Sequence, residues 1–371
     1  MRVLRALTVS LMSVLPFVVN ANDSRVRAQV VAQGLEHPWA VAFLPEGRFL
    51  VTERVGRLRV IEADGRVGAP VSGLPAIDVG GQGGLLDLIT DAEFSVNRQV
   101  FFCFTEPGPG GNSTALASAR LSRDRARLES VRVIFSQQPK VAGRHHFGCR
   151  IVEMPDQTLV LTLGERFHRM DDAQRLDNHL GKLVRLRKDG SVPADNPFVA
   201  RPGVRPEILS YGHRNPQGAT LGPDGRLWVH EHGPQGGDEI NVITPGRNYG
   251  WPVITRGERY GGGPIGQGLT ERAGMEQPFH NWTPSIAPAG MAFLTSQRYG
   301  RDWQGSLFVG SVKFNFLTRL VHDEKRVVHE ERLLEALGQW VRDVRQGPDG
   351  LLYLINDSRN GRLVRLLPAR P

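Results

Sequence analysis

Short apolar runs alternate along this chain with turns built from Pro, Asp and Gly, and the alternation recurs as one unit. A small or polar lead-in residue opens an apolar strand, which is followed by a tight turn and a second apolar strand. The unit reads "PWAVAFLPEGRFLVTER" from Pro38, "HFGCRIVEMPDQTLVLTLGE" from His146, "NPQGATLGPDGRLWVHEHG" from Asn215 and "VRDVRQGPDGLLYLINDS" from Val341. Two looser copies are "GQGGLLDLITDAEFSVNRQVFFCFTE" from Gly81 and "APAGMAFLTSQRYGRDWQGSLFVGSV" from Ala287. Pro presets φ at the first turn position, Asp caps the backbone beside it, and Gly accepts the conformation a side chain would forbid, so each copy predicts a hairpin. Copies recur at roughly 45 to 70 residues, the size of a four-stranded propeller blade with its loops. The predicted fold is all-β, a six-bladed β-propeller with four-stranded antiparallel blades, which leaves only short, protected sheet edges. A β-sandwich would not need the same hairpin six times. The 43 glycines and 25 prolines, high for a helical protein, agree with many short strands.

If the strand after each lead-in is the innermost one, the lead-in residues converge on one mouth of the central channel. They are Trp39, Gln82, His146, Arg214, the loop from Trp282 to Pro288, and Arg342. The loops after the second strands bring Glu53, Glu165, His232-Gly233-Pro234, Lys313 and Asp357 to the same end. A ring that mixes Gln, His, Arg and Lys with acids is a ligand site by geometry, because core packing would select apolar side chains.

The first residues, "MRVLRALTVSLMSVLPFVVNAND", run from Arg2 and Arg5 through an apolar stretch to Val19-Asn20-Ala21. This is the order of a secretory signal peptide over residues 1–21, cleaved after Ala21, with one propeller domain over 22–371. The apolar run is shorter than the ~20 residues a membrane span needs. The expectation is a soluble periplasmic protein, monomer or homodimer, without stable membrane insertion once the signal is removed. Cys103 and Cys149 are the only cysteines and could pair in an exported chain, although sequence alone does not bring them together. The formal net charge of +8 loses two units with Arg2 and Arg5, and the remaining surplus is arginine scattered among acids. No basic cluster with interleaved aromatics marks a nucleic-acid surface.

The stretches "QGGLLDL", "HHFGCRI", "YGHRNPQG", "EHGPQGGDEINVI", "NYGWP" and "RDVRQGPDGLLYLIND" resemble the soluble, pyrroloquinoline-quinone-dependent aldose sugar dehydrogenases, the glucose/sorbosone dehydrogenase family, in order and spacing along essentially the whole mature chain. The resemblance implies a six-bladed propeller that holds the quinone (PQQ) and calcium at the channel mouth and oxidises an aldose sugar for an electron acceptor the sequence does not name. It implies His146 as the general base for the anomeric hydroxyl, with Glu165 as the nearby acid. Arg214 and Asn215 would lie beside the reacting quinone carbonyls, where a fixed cation stabilises developing negative charge. Gln82 and Lys313 would contact the cofactor, and Arg342 would bind one of its carboxylates through a planar fork. Carbonyl oxygens of Gly233 and Pro234 would bind the calcium, a hard cation that takes main-chain oxygen, and Glu239 and Tyr249 match a second calcium site.

Three positions depart from the family pattern. Trp340-Val341-Arg342 stands where relatives carry two arginines flanking one residue, Glu165 stands where Asp is frequent, and His145 precedes the base where some relatives have an acid. The run "GGGPIGQG" from Gly261 reads as a mobile loop over the site. Two other functions fit a propeller. A metal-dependent lactonase would use Trp228, His230 and His232, placed on one strand face by the period of two. A non-catalytic binding propeller would suit Trp340 but not the retention of His146, Arg214 and Lys313 together.

Overall fold

The structure is a computed structural model that describes residues 25–335 and 338–369. The segment read as a signal peptide, 1–21, lies outside the described residues. Six four-stranded antiparallel sheets stand around one axis, as the repeated hairpins predict. Their inner strands are Pro38–Leu44, Leu85–Thr90, Gly148–Glu153, Pro216–Leu221, Pro288–Phe293 and Val341–Gln346. Each touches the next, and the last touches the first. Blades 1 to 5 are consecutive in sequence. Blade 6 takes its three inner strands from the C-terminal end and its outer strand, Val26–Leu35, from the N-terminal end, paired with Gly361–Pro368 from Val26↔Pro368 to Leu35↔Gly361. That closure makes both ends of the described chain part of one sheet, a pairing no local pattern announces.

Apolar side chains fill the space between neighbouring blades. Leu50, Leu85, Phe102 and Phe104 form one cluster, and Phe101, Phe147 and Leu161 belong to another. Cys103 and Cys149 lie fully buried in that second cluster and are disulfide-bonded, with Cα atoms 5.9 Å apart. The bond ties the second strand of blade 2 to the inner strand of blade 3.

Every inner strand carries one residue more than its partner near its start. The pairing shifts between Pro38 and Ala40, Leu85 and Leu88, Gly148 and Ile151, Pro216 and Gly218, Ala289 and Met291, and Val341 and Asp343. Such a bulge kinks the strand and re-aims a side chain. Trp39, Gln217 and Arg342 are the extra residues in blades 1, 4 and 6, and Leu86 lies within the bulge of blade 2. All four line the cavity described below.

The channel beneath that cavity is filled by charge rather than by apolar side chains. Arg150 Nη1 lies 2.8 Å from Asp343 and 3.4 Å from Asp87, and Arg345 reaches Asp87 at 2.6 Å and Asp343 at 3.0 Å. Two guanidinium groups thus balance two buried carboxylates. Asp87 also accepts from the Ile151 amide (2.8 Å) and Asp343 from the Val41 amide (3.2 Å). Arg150 donates to the Gln217 carbonyl (2.7 Å) and the Arg342 carbonyl (3.1 Å) and lies 4.1 Å over the Trp39 ring. One hub therefore joins blades 1, 2, 3, 4 and 6. It separates the upper cavity from a second one of about 350 Å³ at the other mouth, which Arg345 also lines.

Candidate active site

His146 sits at the start of blade 3 with φ of 53°, a left-handed conformation that a non-glycine residue adopts only when its surroundings enforce it. Its amide donates to Gln82 Oε1 at 2.8 Å, and its Nδ1 lies 3.0 Å from Glu165 Oε1. Both side chains are almost wholly buried. Burial first, then the Arg214 and His232 charges, holds the imidazole well below its ordinary pKa, so it is neutral. Burial also pushes the Glu165 carboxyl up to about 7, against the opposing pull of Arg214. With Nδ1–H donated to Glu165, the lone pair at Nε2 is left to accept a proton. Glu165 Oε2 is buried and has no hydrogen-bond partner among the described residues.

Arg166 secures the loop that carries this histidine. Its guanidinium lies 4.0 Å over the Phe147 ring and donates to the carbonyls of His145 (3.0 Å), Gly143 (2.8 Å) and Asn112 (2.9 Å). Sequence reading passed over it. An arginine beside a buried carboxyl is a weak signal when arginine is abundant throughout the chain.

Blade 4 supplies the next cation. The Glu165 amide donates to the Arg214 carbonyl at 2.9 Å, which links blades 3 and 4 directly at the channel mouth. The Arg214 amide is held by Glu231 Oε2 at 2.5 Å. Glu231 Oε1 meets His213 Nδ1 at 2.9 Å, and His213 Nε2 meets the Ser210 hydroxyl at 2.9 Å. This Ser-His-Glu chain is buried and anchors the start of the strand. The Arg214 guanidinium donates to the carbonyls of His232 (3.0 Å) and Gly233 (2.8 Å) and approaches Tyr260 Oη at 3.4 Å, while its Nε is buried with no partner among the described residues. Asn215 Oδ1 accepts from the Gly148 amide at 3.2 Å and from Gln217 Nε2 at 3.2 Å.

A cavity of about 290 Å³ opens between these groups and blade 6. Its wall takes Trp39 and Arg54 from blade 1, Gln82 and Leu86 from blade 2, Phe147 from blade 3, and Asn215, Gln217 and His232 from blade 4. Val312 contributes from blade 5, and Trp340, Arg342 and Asp357 from blade 6. Arg342 pairs with Asp357 at 3.0 Å, and Asp357 meets His37 Nδ1 at 2.8 Å.

The structure thus brings Gln82, His146, Glu165, Arg214 and Asn215 into one hydrogen-bonded chain, with Arg342 across the cavity. Lys313 is at the rim, where its ammonium donates to the Ser285 carbonyl at 3.1 Å beside the Phe314 ring. Pro234 follows Gly233 in a tight loop where a Cβ on Gly233 would strike the Gly236 and Gly237 carbonyls. Glu239 is the cross-strand neighbour of Glu231, and burial together with that second carboxylate raises it to about 8. Tyr249 stacks on His213 with ring centroids 4.8 Å apart, and its hydroxyl is taken by Val242 and Thr244, so it could serve a cation only through its carbonyl.

Some expectations are displaced. Glu53 turns away from the mouth to the Glu36 amide (2.6 Å) and Arg57 (2.7 Å), and its neighbour Arg54 faces the cavity instead. The strand "WVHEHG" does not assemble a transition-metal site. Trp228 packs between Phe279 and Phe293, both ring nitrogens of His230 are buried with no partner among the described residues, and His232 Nε2 donates to the Pro288 carbonyl at 2.8 Å. Among the described residues no group of three or more His, Cys, Asp or Glu is placed to hold a metal ion. Among them, too, no helix is long and apolar enough to cross a membrane. The glycines at 261, 262 and 263 all have positive φ and open space around them, and Tyr260 beside them is 62% exposed over Arg214.

Residues 35–365 match the family described as Glucose / Sorbosone dehydrogenase. The aldose sugar dehydrogenase YliI of Escherichia coli is 42% identical over 94% of this chain and 94% of its own. A crystal structure of a glucose dehydrogenase superposes with a TM-score of 0.88 at 47% identity, over 91% of this chain and 98% of that one. The PQQ-bound form of an aldose sugar dehydrogenase from Streptomyces coelicolor superposes with a TM-score of 0.75 at 27% identity, over 94% of this chain and 100% of that one.

Proposed function

The chain belongs to the glucose/sorbosone dehydrogenase family and is a sugar oxidoreductase, and from that premise we propose that it oxidises aldoses at the anomeric carbon to lactones, using pyrroloquinoline quinone and calcium. The observation that carries the reading is the buried, neutral His146 held by Glu165 at the edge of a cavity with aromatic and cationic walls. A planar polycarboxylate fits such walls, because the exposed Trp340 offers a flat apolar face while Arg54 and Arg342 bring guanidinium groups beside it. The buried Arg214 Nε without a partner adds a donor suited to an acceptor oxygen.

When bound, the quinone supplies the two-electron sink for the carbon being oxidised. His146 Nε2 takes the proton of the anomeric hydroxyl, and the Glu165 carboxylate holds Nδ1–H and stabilises the imidazolium that results. Arg214 places a fixed cation where negative charge grows on a neighbouring oxygen. Gln82 holds the His146 amide, and Asn215 holds the Gly148 amide, so the two polar side chains assigned to the cofactor also shape the loop of the base. Carbonyl oxygens of Gly233 and Pro234 would hold calcium, which would supply a Lewis acid for the quinone. Gly233 O accepts from Arg214 at 2.8 Å, so the guanidinium would have to yield that oxygen for calcium to bind there. Glu239, raised by burial and then by Glu231, would be relieved by a second calcium, with Tyr249 O as a further ligand. Lys313 would reach the cofactor by leaving Ser285 O. Export of the chain through residues 1–21 to the periplasm agrees with the Cys103–Cys149 bond, since disulfides persist in oxidising compartments.

Dye reduction by the purified apo-protein, with a panel of aldoses and with or without the quinone and calcium, tests the reading. Activity should require both additions and fall by roughly 10²- to 10⁴-fold in His146→Ala, the range for loss of a general base. No activity and no quinone binding at saturating calcium would overturn it.

A further inference from the structure

We propose that Arg54, on the loop after the second strand of blade 1, is a cofactor-binding residue, supplying with Arg342 the carboxylate-binding end of the cavity against the face of Trp340. The inference rests on the quinone reading above. Its first support is position in the ring. Blade 1 faces blade 4 and blade 6 faces blade 3, because the six inner strands follow one another and close. Phe147 and Asn215, the chain neighbours of His146 and Arg214, line the cavity from blades 3 and 4, so Arg54, Trp340 and Arg342 occupy its opposite side. A flat ligand spanning the mouth has its reactive edge on one side and these two guanidinium groups on the other.

The second support is the state of the Arg54 side chain. Its backbone is pinned at both ends, with the amide donating to the His37 carbonyl (2.9 Å) and the carbonyl accepting from the Leu85 amide (3.3 Å). Gly84 permits that approach, since a Cβ there would lie on the Arg54 carbonyl. The guanidinium itself donates only to the Gly81 carbonyl and makes no ion pair among the described residues. Four of its five N–H donors are therefore left for a ligand. Arg342 differs, because Asp357 already holds it at 3.0 Å and cancels its charge. Of the two cations on this side, Arg54 is the one that makes no ion pair among the described residues.

Trp340 completes the end wall. Its indole is 47% exposed although it lines the cavity, and its carbonyl is held by the Asp357 amide (3.2 Å) and Asn356 Nδ2 (3.4 Å). Trp340 thus offers a flat apolar face, and Arg54 brings a guanidinium to the same side from the neighbouring blade.

The test is equilibrium binding of pyrroloquinoline quinone and of its trimethyl ester to the apo-protein with calcium, read by quenching of tryptophan fluorescence. Wild type, Arg54→Ala and Arg54→Lys are compared, with thermal unfolding of each as the check on folding. Arg54→Ala should bind the free acid roughly ten- to hundredfold more weakly, the worth of one charge-assisted hydrogen bond. It should bind the ester as wild type does, and Arg54→Lys should recover part of the loss. Unchanged affinity for the acid, or an equal loss for acid and ester, would overturn the assignment of Arg54 while leaving the quinone reading intact. Failure of wild type to bind the quinone at all would overturn that reading and this one with it.

Discussion

A carboxyl group buried beside a histidine can serve a base only while it is ionised. Glu165 is pushed up to about 7 by burial, so below that pH it is largely protonated and its pull on His146 Nδ1–H is lost. The rate of sugar oxidation at low substrate should therefore rise as pH increases through about 7, with His146 neutral across the whole window. Glu165→Gln should lower the rate and remove that inflection, which a pH profile of kcat/KM would read directly. An unchanged inflection would assign the titration to another group. The place of His146 at the channel mouth was legible, because it stands at the head of a recurring hairpin. Arg54 was not, since Glu53 and Arg54 are adjacent and only the twist at the strand end decides which one faces the cavity.

Among the strands, the hairpins follow from local chemistry and the bulges do not. Pro-Asp-Gly turns specify where a strand reverses, and four copies carry that turn or a close variant. The extra residue on each inner strand depends on how neighbouring blades crowd the axis, and it is what turns Trp39, Gln217 and Arg342 into the cavity. The Cys103–Cys149 bond is a tie of the same non-local kind, joining two blades across 46 residues of chain. Closing a loop of that length should stabilise the fold by about 4 kcal/mol. Cys103→Ala/Cys149→Ala should lose stability of that order in urea unfolding. Wild type unfolded and refolded with reductant should show a similar loss, which separates the cross-link from the packing of the two sulfurs. Equal stability with and without reductant would mean that the bond adds nothing.

The whole molecule is held on its axis by charge. Asp87, Arg150, Asp343 and Arg345 balance one another at the centre of the ring, and removing one partner leaves an uncompensated carboxylate in a medium that solvates it poorly. Arg150→Met should cost about 3–5 kcal/mol, seen as a lower urea midpoint at unchanged slope. Adding Asp343→Asn to that variant should recover part of the loss. A midpoint equal to wild type would show that Arg345 alone satisfies both acids. Arg150 gave no signal in the sequence, where it reads as one more arginine in an apolar strand. The repeated unit, its number and the identity of the polar lead-in residues were all readable from the chain, because turns and strand alternation are written in near neighbours. Closure by Val26–Leu35, the charged hub, the cross-blade disulfide and the choice of Arg54 over Glu53 were settled only in three dimensions. Each of these depends on contacts between segments far apart in the chain, and those contacts exist only once the ring is closed.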